Sequence, residues 1–104
     1  MIDLLQVQVR HPGIALTEKE QKLVECLVLR ICAHHLYRRL GRPFKIRRAN
    51  VDSIHLLVNQ VVFVEDGIQL DEIDQLMKDM TTDIRTTLEL CDVSSEDIVL
   101  TAKA

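Results

Sequence analysis

What most constrains this chain is the order in which its hydrophobic period changes. Residues 4–10 alternate, with Leu5, Val7 and Val9 facing one way and Gln6 and Gln8 the other. That is the pattern of a strand with one buried face. His11-Pro12-Gly13 then predicts a turn, because proline lacks a backbone donor and glycine accepts unusual backbone angles. The period next becomes helical. Thr17 with Glu20 three residues later is a capping box, and Glu18 and Lys22 make a favourable i,i+4 pair. Gly41 with Pro43 close behind is a stop signal, so the helix is expected to end near Leu40. Phe44-Lys45-Ile46-Arg47 alternates briefly, as a short strand would.

Residues 51–64 are the ambiguous stretch. Their richness in Val, Ile and Phe favours strand, with Asn59-Gln60 as an irregularity inside it. Ile54, Leu57, Val58 and Val61 would equally line one face of a helix capped by Asp52-Ser53. Asp66-Gly67 reads as a turn, and a second helix is expected over about residues 70–90. Ile73, Leu76, Met77, Met80, Ile84 and Leu88 lie on one stripe of it. Asp71, Glu72 and Asp74 fill its first turn, where the helix dipole favours negative charge. Residues 91–97 read as a loop and 98–102 as a closing edge strand.

With 51–64 taken as strand, the order is β-α-β-β-α-β, an α+β chain. This is the order of the ferredoxin-like split βαβ arrangement, in which two helices cover one face of a four-stranded antiparallel sheet. If 51–64 were helical, the chain would be mainly α. At 104 residues, one domain spanning 1–104 is expected. A sandwich of this kind hosts many unrelated functions and implies none.

The first helix carries a further implication. Residues 23–33 are apolar on nearly every side, broken only by Glu25 and Arg30. A helix apolar on more than one face is buried on more than one side, and in so small a domain one of those sides suits a second subunit. The aromatic set is only Tyr37, Phe44 and Phe63, so the core is aliphatic and stacking platforms for nucleotide bases are few.

Charge divides the sequence. Residues 1–49 hold ten Lys/Arg against four Asp/Glu, a balance of +6; residues 50–104 hold three against twelve, a balance of −9. The basic half concentrates in residues 30–48, with seven cations, no acid, and His34 and His35 besides. Arg38, Arg39, Arg42, Lys45, Arg47 and Arg48 are the candidate binding residues, for nucleic acid or for an acidic protein surface. The bland alternative is a solvated helix end whose cations complement the dipole.

Nothing in the sequence selects a catalytic group. It contains no P-loop, GxGxxG, nucleophile elbow or HExxH. Glu65, Asp66, Asp71, Glu72 and Asp74 lack the alternating ligands of a calcium loop. Cys26, Cys32, His34 and His35 lack the paired spacing of a structural zinc site. No metal, cofactor or enzymatic activity is therefore expected. The three cysteines, Cys26, Cys32 and Cys91, are read as free thiols in a reducing cytoplasm. No apolar run is long enough to span a bilayer and no leader precedes the first strand, so no membrane partner is expected. The functional expectation is a small non-enzymatic interaction or regulatory protein that self-associates or docks on a protein partner. The alternative is a nucleic-acid-binding regulator that uses residues 30–48.

Overall fold

The computed structural model describes residues 2–10, 16–49, 56–93 and 98–103. Its elements are β1 (Ile2–Arg10), α1 (Glu18–Leu40), β2 (Phe44–Arg48), β3 (Leu56–Ile68), α2 (Leu70–Leu90) and β4 (Ile98–Lys103). The chain is thus α+β in the expected order, and residues 56–64 are strand, not helix. Asn59 and Gln60 lie within β3 without breaking it. The expected turn at His11-Pro12-Gly13, the loop residues 94–97 and residues 51–55 lie outside the described residues.

The four strands form one antiparallel sheet in the order β2-β3-β1-β4, the strand order of a ferredoxin-like sandwich. Leu5 sits opposite Val62 and Ala102, Val7 opposite Gln60 and Leu100, and Val9 opposite Val58 and Ile98. These residues share the face on which both helices pack. Val24, Val28, Cys32 and Leu36 of α1 and Ile73, Leu76, Met80, Ile84 and Leu88 of α2 close the core above them.

Local chemistry fixes the ends of α1. The Glu20 amide donates to the Thr17 hydroxyl at 3.2 Å, and the Thr17 amide donates to the Glu20 carboxylate at 3.2 Å, so the expected capping box is present. Gly41 ends the helix with φ of 59°, a left-handed conformation that a Cβ disfavours. Asp66 and Gly67 are not a free turn. They sit inside β3 at φ of 64° and 71°, beside a register shift against β1 between Ile2 and Leu4. The extra residues are absorbed as a bulge.

The two-sided burial expected of α1 is not complete within one chain. Its core side is sealed, whereas Leu23 and Tyr37 are 56% and 77% exposed and Cys26 is exposed beside them. Cys32 alone of the three thiols is buried.

Candidate functional site

The basic segment does not form one surface. The last turns of α1 lie beside α2, and the second half of the charge split meets the first there. Arg39 Nη2 donates to Asp79 Oδ2, whose other oxygen accepts from Gln75 Nε2 at 2.9 Å. Arg42 Nη2 lies 3.4 Å from Glu72 Oε2. His35 Nε2 and Asp83 Oδ2 are hydrogen-bonded at 2.8 Å, and the Thr87 hydroxyl donates to Asp83 Oδ1 at 3.4 Å. On the far side of α1, Arg48 Nε reaches Glu25 Oε1 at 2.9 Å. Three of the six candidate residues, Arg39, Arg42 and Arg48, are therefore engaged within the molecule. Among the described residues, no acidic side chain pairs with Arg38, Lys45 or Arg47.

Strand alternation decides where the free cations point. Arg38 stays on the exposed side of α1. Lys45 and Arg47 project from β2 on the sheet face that the helices do not cover. Cross-strand pairing arranges that face in rows. One row runs Lys45, Phe63, Leu4, Lys103, and the next runs Arg47, Val61, Gln6, Thr101. Phe63 is 44% exposed at the centre of the first row. Beyond them, Gln6 Nε2 donates to the Asn59 side chain at 3.1 Å, and Asn59 is buried.

The two edges of the sheet differ in chemistry. β2 carries Lys45, Arg47 and Arg48 within five residues, with Lys22 and Glu25 of α1 beside it. Charge of this kind is a common way to keep an edge from pairing. β4 carries no charge before Lys103, its last residue. A notch of about 470 Å³ runs between β4 and α2, with Met77, Ile98 and Leu100 as its apolar walls. On α2 beside it, Asp74, Lys78, Arg85 and Glu89 share one helix side, so opposite signs balance.

A second notch, about 350 Å³, lies between α1 and β2. Gln60 forms part of its lining together with Cys26, Leu29 and Ile46. Gln60 Nε2 donates to the Glu25 carbonyl at 3.1 Å, which fixes the orientation of the amide. Its Oε1 has no hydrogen-bond partner among the described residues.

The thiols differ as their burial does. Burial pushes the Cys32 thiol up to about 12, because the thiolate would lose its hydration. Cys26 and Cys91 are exposed. No helix of the described residues is long and apolar enough to cross a membrane.

Comparison with family models, with curated proteins and with solved structures gives no match. The surfaces are therefore read from their own chemistry. Sequence reasoning picked out Lys45 and Arg47 as candidates and did not place Phe63 and Lys103 on the same face. The signal for Phe63 was present: it alternates with Val62 and Val64, so it belongs on the face opposite theirs.

Proposed function

We propose that this chain is a small non-enzymatic interaction protein that associates with a second copy of itself along β4. The observation that carries the reading is the chemistry of that edge, which among the described residues is open and free of charge from Ile98 to Ala102. An edge strand presents a row of unpaired amides and carbonyls, and native sheets that stay separate blunt such a row with charge, proline or a cover. β2 is blunted in that way and β4 is not. Two antiparallel copies of β4 satisfy each other's backbone groups around a two-fold axis, an isologous and closed contact. The same approach brings a second α2 towards the Met77–Leu100 notch, where the balanced charges of α2 oppose no approach. A β2-to-β2 contact would instead set Lys45, Arg47 and Arg48 against their own copies.

Sedimentation at micromolar concentration tests the reading, with a dimer expected for the native chain and a monomer for a Val99→Lys/Thr101→Lys double variant. Both positions lie on the solvent face of the edge, so the variant keeps the core intact. A native chain that stays monomeric at a hundred micromolar overturns the proposal. The three unpaired thiols fit a reducing compartment such as the cytoplasm.

A further inference from the structure

We infer that the uncovered face of the sheet binds single-stranded nucleic acid, with Phe63 stacking on a base and Lys45, Arg47 and Lys103 holding phosphates around it. The inference rests on cross-strand register and does not depend on pairing along β4.

The first support is geometric. Lys45, Phe63, Leu4 and Lys103 occupy one row across the four strands. Strands about 4.8 Å apart put the two lysines roughly 14 Å from each other, with the ring between them. Arg47 is two residues along β2 from Lys45, about 7 Å further on the same face. The span suits two or three nucleotides laid across a sheet, the length over which sheet aromatics stack bases.

The second support is electrostatic. The chain as a whole has a net charge of −3, yet this face gathers cations. Strand alternation places one acid, Glu65, two along β3 from Phe63 on this face among the described residues, and exposed Asp66 follows it in the bulge. The cations that could have neutral explanations are elsewhere: Arg39, Arg42 and Arg48 are held by Asp79, Glu72 and Glu25. Of the cations left over, Lys45, Arg47 and Lys103 lie on the face that carries Phe63.

The third support is the cost of the ring's position. A phenylalanine left 44% exposed gives up part of its hydrophobic stabilisation. A stacked base recovers it. Beside the ring, Gln6 and Thr101 supply neutral donors and acceptors that reach base edges without sequence-fixed charge.

An acidic peptide would answer the cations but has no use for the ring. A duplex would offer phosphates while keeping its bases stacked inside. The combination therefore favours an unpaired strand.

The test is fluorescence anisotropy of labelled eight-nucleotide oligo-dT and oligo-U over 25 to about 200 mM salt. Three phosphate contacts give a log–log salt slope of about −2. Phe63→Ala is expected to weaken binding by about fivefold or more, the loss of one stacked base, while Phe63→Tyr retains it. Arg47→Ala is expected to weaken binding and flatten the slope by about 0.7. Arg38→Ala, which removes a cation from α1 and not from the sheet, is expected to change nothing. Absence of salt-dependent binding overturns the inference. So does an Arg38→Ala loss equal to that of Arg47→Ala, or equal binding of octaglutamate with the same indifference to Phe63→Ala. The last result would assign the face to an acidic protein partner instead.

Discussion

Cys32 is the residue whose chemistry the fold changes most. It lies on the core side of α1 with no exposed surface, and burial pushes its thiol from the ordinary 9.0 up to about 12. At neutral pH it is therefore expected to resist iodoacetamide in the folded chain, while Cys26 and Cys91 are alkylated; peptide mapping after brief labelling reads the difference. The same burial has a stability consequence. The folded-state value is raised, so the stabilisation from a neutral thiol is fully present below pH 9 and is lost as pH climbs towards 12. Over that window the unfolded chain ionises first, and the loss amounts to about 1.4 kcal/mol per pH unit. Denaturant titrations between pH 8 and 11 are expected to show this decline, and Cys32→Ala to remove that share of it. A native slope identical to that of Cys32→Ala would contradict the burial of the thiol. Which of Cys26 and Cys32 is buried was not legible from the sequence, where both share one apolar run. Which side of an all-round apolar helix meets the sheet depends on the other elements.

At the scale of elements, the local signals were readable and the non-local ones were not. The Thr17–Glu20 box, the Gly41 stop and the stripe of α2 each depend on residues within a few positions of one another. The ends of α1 and the buried face of α2 followed from them. Pairing across the fold does not work that way. Arg42 and Glu72 are thirty residues apart and Arg39 and Asp79 forty, and no periodicity links them. The split of charge along the chain was visible, but its partial cancellation at the α1–α2 seam needed the two helices side by side. That seam gives a measurable coupling. Arg39 and Asp79 are each about one-third exposed, at 38% and 32%, so solvent screens them and the pair contributes modestly. A double-mutant cycle with Arg39→Ala and Asp79→Ala is expected to return roughly 0.5–1 kcal/mol, shrinking in added salt. Asp79→Ala alone is expected to cost more than Arg39→Ala, because Gln75 loses its acceptor as well. A coupling above about 2 kcal/mol would mean the seam is far drier than its exposure implies.

For the whole molecule, the sheet's two edges and its uncovered face differ in chemistry. The β2 edge carries Lys45, Arg47 and Arg48, and two of these, Lys45 and Arg47, belong to the uncovered face. The β4 edge lacks such protection. If two copies join there, the two uncovered faces run on into one eight-stranded surface, and the cationic rows double without any new residue. Association then enters the stability of the fold by mass action, since each folded copy binds another and the unfolded chain does not. The thermal midpoint of the native chain is accordingly expected to rise with concentration between about 1 and 100 µM. In Val99→Lys/Thr101→Lys it is expected to stay level, because edge lysines oppose their own copies across the axis. Arg47→Ala is expected to keep the concentration dependence, since the β2 edge takes no part in the contact. Calorimetry on the three proteins separates these outcomes. Loss of the dependence in Arg47→Ala, with the β4 variant unaffected, would move the contact to the other edge and leave β4 as a strand whose lack of charge serves no pairing.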